Sequence, residues 1–187
     1  MINVISTKIE DVKIIVPQVF ADDRGFFFES FNQINFNDKL DVDINFVQDN
    51  HSKSSYGVLR GLHYQKNPFE QGKLVRVIEG EVFDIAVDIR PYSHSKGQWV
   101  GELLSATNTK QLWIPPGFAH GFLVLSPSAQ VLYKTTNFYS KESEVCILYD
   151  DNDLAIDWPL SSDPILSEKD KLGISFQEYL KQYHGSK

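Results

Sequence analysis

The chain has a single cysteine, Cys146, among 187 residues, so no intramolecular disulfide can brace it. Its flanks, Glu144-Val145-Cys146-Ile147, read as a strand carrying a small buried hydrophobe. Neither a helix start nor a neighbouring cation stands in sequence to lower the thiol pKa, so a catalytic thiol is not expected. Basic charge is also scarce: 18 Lys and Arg against 25 Asp and Glu leave a formal net charge of -7. That balance argues against a broad nucleic-acid surface, because counterion release needs clustered cations, although a few local ones suffice for an anionic ligand. No apolar run is long enough to cross a bilayer. Met1-Ile2-Asn3-Val4-Ile5 lacks a cationic flank and an apolar core of signal-peptide length, which makes a cytoplasmic location the default expectation. Internal repeats, low-complexity segments and Pro/Ser-rich linkers are missing as well, so one domain over residues 1–187 is expected.

What is present is a composition of 42% hydrophobic and 23% charged residues, that of a globular chain able to bury a core. From Val12 to Ile156 it falls into short runs rich in Val, Ile, Phe, Tyr and Trp, each bounded by Gly, Pro, Asn, Asp or Ser. Strands are expected at Val12 to Val16, Gly25 to Phe31, Asn45 to Asn50, Val58 to Tyr64, Leu74 to Ile78, Glu81 to Ile89, Trp99 to Ser105, Gln111 to Ile114, Phe122 to Leu125 and Gln130 to Tyr139. Within Glu81 to Ile89, Phe83, Ile85, Val87 and Ile89 share one face and Val82, Asp84, Ala86 and Asp88 the other, an alternation that marks one core-facing side. Phe20, Phe26, Phe27 and Phe28 read as core rather than as a ligand platform. Helical signals are confined to Asn32 to Leu40, to Glu168-Lys169-Asp170-Lys171 behind Ser167, and to Phe176 to Tyr183. Trp158-Pro159 to Pro164 marks the exit from the strand-rich part. The expectation is all-β: an antiparallel jelly-roll barrel over about residues 12–156, short peripheral helices, and a C-terminal helical segment over about residues 165–183.

The densest polar cluster inside strand-like sequence is Gly57-Val58-Leu59-Arg60-Gly61-Leu62-His63-Tyr64-Gln65, followed by Gln71-Gly72-Lys73-Leu74. Taken alone, His63 is a hydrogen-bonded structural histidine more often than a catalyst, and Arg60 and Lys73 are solvated strand charges. Ideal alternation would put Arg60 and His63 on opposite faces; both can line one cavity if the strand is bulged, and Gly61 is a suitable place. The run Pro115-Pro116-Gly117-Phe118-Ala119-His120-Gly121-Phe122, together with Gly57-x5-His63, resembles the two sequence motifs of cupin barrels, Pro-x-Gly-x-x-His being the second. Metal-binding cupins need a His-x-His pair, and Gln65 replaces the second histidine, so neither metal nor other cofactor is expected. On the strand Gln130 to Tyr139, Tyr133, Thr135, Asn137 and Tyr139 share a face, which lets two tyrosines look into one space.

Read together, these pieces closely resemble the dTDP-4-keto-6-deoxyglucose 3,5-epimerases. The likeness runs from Asp22-Asp23-Arg24-Gly25-Phe26-Phe27-Phe28-Glu29, through Gln48-Asp49-Asn50-His51-Ser52 and the Arg60, Lys73 and His120 segments above, to Leu166-Ser167-Glu168-Lys169-Asp170. It fades over Asn35 to Asp43 and after Lys171. The resemblance implies a cofactor-free enzyme acting on a dTDP-4-keto-6-deoxyhexose, with His63 as general base assisted by Asp170, Tyr133 as acid on the opposite face of the sugar, and Lys73 stabilising the enolate oxygen. It also implies a substrate site built from Arg24, Glu29, Gln48, Asp49, Asn50, Arg60, His120, Glu144 and Lys169, with Tyr139 stacking on thymine. Glu29 takes the position that a neighbouring subunit supplies, which implies a homodimer with shared sites. Three other readings stay open at this point: an epimerase acting at one carbon of a related sugar, a metal-dependent cupin using His63, Glu70 and His120, and a non-catalytic sugar-nucleotide-binding barrel.

Overall fold

The computed structural model describes residues 2–184; Met1 and the last three residues of the expected domain lie outside the described residues. In chain order the elements are β1 (Ile2–Ser6), β2 (Lys13–Pro17), β3 (Phe20–Asp22), β4 (Gly25–Phe27), α1 (Gln33–Leu40), β5 (Gln48–Ser55), β6 (Leu59–Gln65), β7 (Lys73–Glu79), β8 (Glu81–Asp88), β9 (Trp99–Ser105), β10 (Gln111–Ile114), β11 (Phe118–Val124), β12 (Ser128–Thr135), β13 (Glu144–Cys146), α2 (Glu168–Lys171) and α3 (Phe176–His184). The pairs β5·β12, β6·β11, β7·β10 and β8·β9 are all antiparallel, the ladder of one long hairpin folded over on itself. Folding it yields two facing layers, β5-β12-β7-β10 and β6-β11-β8-β9, which is jelly-roll order. β2 and β1 extend the first sheet beyond β10, and β13 extends the second beyond β6. The walls are two separate sheets of six and five strands rather than one ladder closed on itself.

Apolar side chains fill three layers. Between the sheets lie Val75, Val77, Val82, Ala86, Leu112, Phe122 and Val131. Outside the second sheet, Leu59, Ile85, Val87 and Leu123 pack under Trp158, Phe176 and Tyr179 of the C-terminal segment. Outside the first sheet, α1 lays Phe36 on Ile15, Leu74 and Trp113. The side chain of Asn32 caps α1 by accepting from the Asn35 N–H at 3.1 Å, and Asp41 ends it in the left-handed conformation.

Two expectations are corrected. β8 has no single core-facing side: Val82 and Ala86 face the space between the sheets, Ile85 and Val87 the C-terminal layer, and Asp84 and Asp88 are fully buried. The chain returns over the outer face of its own sheet, and alternation in one strand carries no sign of that cover. The phenylalanine run is not core either. Phe20, Phe26 and Phe27 are 54%, 67% and 70% exposed on the β3–β4 hairpin, which pairs only with itself. Boundaries also move: β4 stops at Phe27, β5 runs on to Ser55, β11 begins at Phe118 and β12 stops at Thr135. Among the described residues no helix is long and apolar enough to cross a membrane.

Candidate active site

The site opens where β6 is bulged. His120 stands opposite His63 and Phe122 opposite Arg60, so β6 carries one more residue than β11 across this stretch. Gly61 supplies the extra room: its φ is +136°, and a Cβ there would lie 2.5 Å from Gly121 Cα. The bulge cancels the alternation that would separate Arg60 from His63, and both line a cavity of about 260 Å³ between the two sheets.

Two histidine–carboxylate pairs form one wall. His63 Nε2 meets Asp170 Oδ1 at 2.6 Å, while Ser167 Oγ donates to Asp170 Oδ2 at 2.6 Å and the Gly61 N–H reaches Oδ1 at 3.4 Å. Burial alone would raise the Asp170 pKa; the donors from His63, Ser167 and Gly61 outweigh it and hold the carboxyl at about 2. Behind this pair the Cys146 thiol lies 3.8 Å from the same Oδ1, and burial pushes its pKa up to about 12. His120 Nε2 lies 3.0 and 3.1 Å from the oxygens of the buried Asp84. Burial lowers the His120 pKa against the pull of Asp84, leaving a neutral ring oriented by its carboxylate.

The facing wall carries Lys73 on β7 and Tyr133 on β12. The Lys73 ammonium donates to the His63 carbonyl at 3.2 Å. Burial lowers its pKa to about 8, with Asp84 and Glu144 pulling the other way. Burial likewise raises the Tyr133 phenol, partly offset by Arg60, so the hydroxyl stays protonated at neutral pH. Around the mouth, Gln48 donates to Asn50 Oδ1 at 2.9 Å and accepts the Tyr139 N–H at 3.0 Å. The Tyr139 hydroxyl donates to Glu144 at 2.8 Å, and Lys169 pairs with the other Glu144 oxygen. Arg60 is steadied from below by Ser54 Oγ at 3.0 Å.

The sequence profile of the dTDP-4-dehydrorhamnose 3,5-epimerases matches residues 6–178. The chain is 59% identical over 179 residues to the dTDP-4-dehydrorhamnose 3,5-epimerase of Escherichia coli K12, covering 96% of this chain and 97% of that one. It is also 59% identical to the Pseudomonas aeruginosa enzyme of that name, over 91% of this chain and 93% of the other. A crystal structure of the Legionella pneumophila 3,5-epimerase in complex with dTDP-4-keto-L-rhamnose superposes with a TM-score of 0.93 at 51% identity, over 96% and 97% of the two chains. This chain belongs to the dTDP-4-dehydrorhamnose 3,5-epimerase family.

Of the site residues that the family resemblance implied, His63, Lys73, Tyr133, Gln48, Asn50, Arg60, His120, Tyr139, Glu144 and Lys169 line this one cavity, with Asp170 behind His63. Three do not join them. Asp49 faces outward on β5 and pairs with Lys134 at 3.0 Å, as alternation beside Gln48 and Asn50 requires. Arg24 sits in the exposed β3–β4 turn against Asp22, and Glu29 accepts from Asn32 and Asn35 at 3.1 Å each. Tyr139 reaches the cavity without the strand expected of it. β12 ends four residues earlier, and the loop is pinned instead by Gln65, whose Oε1 accepts the Ser140 N–H at 2.7 Å and whose amide donates to Phe69 and Phe138 carbonyls. That use of Gln65 also bears on a cupin-type metal set, since its amide is committed to the loop and Glu70 lies outside the cavity. Ser52, Gln71 and Phe122, which stand in the sequence motifs without an expected site role, also line the cavity, and Asp84 backs it through His120. Ser52 was accessible by stepping two residues along from Gln48 and Asn50, whereas the pairing of Asp84 with His120 depends on the β8–β11 register.

Proposed function

We propose that the chain, acting as one epimerase domain, converts dTDP-4-keto-6-deoxy-D-glucose to dTDP-4-keto-L-rhamnose by inverting C3 and C5. The observation that carries this is the disposition of His63 and Tyr133: one stands on the second sheet, the other on the first, and both line the same cavity. A hexose ring held between them meets a base on one face and an acid on the other, which inversion at carbon requires. The ketone at C4 acidifies the hydrogens at C3 and C5. With Nε2 held by Asp170, His63 takes the proton through Nδ1, and the carboxylate stabilises the imidazolium that forms. Negative charge moves to the C4 oxygen, where the buried Lys73 ammonium receives it in a desolvated setting, the type of stabilisation that carries most of such a rate enhancement. Tyr133 then returns a proton to the opposite face. Arg60 suits the diphosphate and the exposed Tyr139 ring the thymine, with Glu144 and Lys169 beside it. Arg24, Glu29 and the exposed phenylalanines of the β3–β4 hairpin serve a second copy of this chain, completing its site in a homodimer.

Proton NMR in deuterium oxide with dTDP-4-keto-6-deoxyglucose tests the reading. Solvent deuterium is expected at both C3 and C5, with the L-rhamno product accumulating. Label at C3 alone would make the chain a single-carbon epimerase, and tight nucleotide binding without any label would make it a binding barrel.

A further inference from the structure

β5 directs Gln48, Asn50, Ser52 and Ser54 to its inner side, and the first three of this polar row line the cavity. Three of the four are satisfied within the protein: Gln48 bonds Asn50 and the Tyr139 N–H, and Ser54 accepts from Arg60. Ser52 is not. Its Oγ is buried and is the one such side-chain nitrogen or oxygen among the described residues without a hydrogen-bond partner. The residue opposite it on β12 is Val131, a member of the apolar core, so the cross-strand position offers no polar group. A hydroxyl can give one hydrogen bond and accept two, and a buried one with none of them made within the protein is open to a partner from outside it. Ser52 lines the cavity, so a ligand bound there comes within reach of its Oγ.

Which ligand atom it meets follows from its neighbours, given the epimerase reading on which this rests. Ser54, the next inward residue, holds Arg60, the group suited to the diphosphate on C1 of the sugar. Lys73, suited to the C4 oxygen, lies on β7, two strands away across β12. C1 and C4 are opposite corners of a hexose ring; of the two edges between them, C2–C3 carries hydroxyls and O5–C5 only a ring oxygen and a methyl branch, so the group beside C1 that can both give to and accept from Ser52 is the 2-hydroxyl. We propose that Ser52 is a specificity-determining residue whose Oγ hydrogen-bonds the 2-hydroxyl of the sugar, selecting 2-hydroxy over 2-deoxy hexoses.

The test compares kcat/KM for dTDP-4-keto-6-deoxyglucose and for its 2-deoxy counterpart in wild type, Ser52→Ala and Ser52→Cys, the last filling the same space with a poor hydrogen-bonding group. Wild type is expected to prefer the 2-hydroxy sugar by about tenfold, the yield of one well-placed hydrogen bond to a buried group. Both variants should bring the two substrates within about twofold of each other by slowing only the 2-hydroxy sugar, since the 2-deoxy sugar never made the bond. A variant that slows both sugars equally, or a wild type indifferent to the 2-hydroxyl, overturns the assignment. If Ser52→Ala does not fold, Ser52→Cys alone decides. Wild type inactive on both sugars would instead strike at the epimerase reading, and is distinguishable by that pattern.

Discussion

Asp170 is 2% exposed, and its oxygens meet donors from His63, Ser167, Gly61 and Cys146. So many donors on one carboxylate hold it ionised and fix the imidazole in a single tautomer, with Nε2 facing the carboxylate. The same arrangement separates the roles of His63 and Tyr133 when each is replaced. His63→Ala is expected to abolish solvent deuterium uptake, because a buried Lys73 and a raised Tyr133 phenol offer no ready base at pH 7. Tyr133→Phe keeps base and cation, so label should still enter while inverted sugar falls by about 10²-fold, the lower end of what a positioned acid contributes. Equal uptake in wild type and His63→Ala, or undiminished inversion in Tyr133→Phe, would remove the corresponding assignment. Lys73 adds a pH signature. Its folded pKa is depressed to about 8, so the ammonium is present below that value and is lost as pH rises through it. Turnover at saturating substrate should therefore decline on the alkaline side around pH 8, a profile measured by NMR or a coupled assay; a flat profile to pH 9.5 would show that the Lys73 charge is not needed.

At the scale of strands and helices, the pattern of short apolar runs announced the eight jelly-roll strands and, among the described residues, the three helices, because inward and outward alternation and a serine ahead of a charged run, as at Ser167, are local signals. The edges of those elements, and β1 and β3, were not legible from local pattern, since a strand begins and ends where its partner does; β12 stops at Thr135, level with Gln48 at the start of β5. Burial of the outer face of β8 was invisible for a related reason: the cover comes from Trp158, Phe176 and Tyr179, far along the chain. The place for a bulge was readable, because glycine inside a strand has few other uses, but its presence shows only in the β6–β11 register, and it is the part on which the site most depends. In Gly61→Ala the new methyl would meet the Gly121 backbone at 2.5 Å in a conformation that L side chains rarely adopt. Strain and clash together should cost roughly 2–4 kcal/mol, read as a fall in the denaturation midpoint. Because the register holds Arg60 and His63 on one side, nucleotide affinity should drop along with turnover in whatever fraction folds. A variant with wild-type stability and affinity would mean that the β6–β11 contact yields easily.

For the molecule as a whole, the β3–β4 hairpin stands apart, a two-stranded sheet outside both walls of the jelly roll. Its phenylalanines are largely exposed, and among the described residues the polar partner of Arg24 is Asp22 in its own turn and those of Glu29 are Asn32 and Asn35. Several large apolar side chains clustered on one projecting hairpin are characteristic of a surface that another protein covers. A second copy is the fitting partner, since two of the three family-implied binding residues that the cavity lacks, Arg24 and Glu29, are carried on and just after this hairpin, and a two-fold exchange of arms would supply each site with the other chain's pair. Replacing Phe26 and Phe27 with aspartate should then yield monomers by analytical ultracentrifugation and lower turnover together with dimer content. Mixed dimers separate sharing from mere association. A Glu29→Ala chain keeps its own His63 and receives an intact hairpin from a His63→Ala partner, so one site of each heterodimer is whole. Equal mixing followed by exchange should restore about a quarter of wild-type activity, because half the dimers are mixed and each has one of two sites intact. Parents that are inactive alone and remain inactive after verified exchange would show that each chain completes its own site, and that Glu29 acts where its own cavity can reach it.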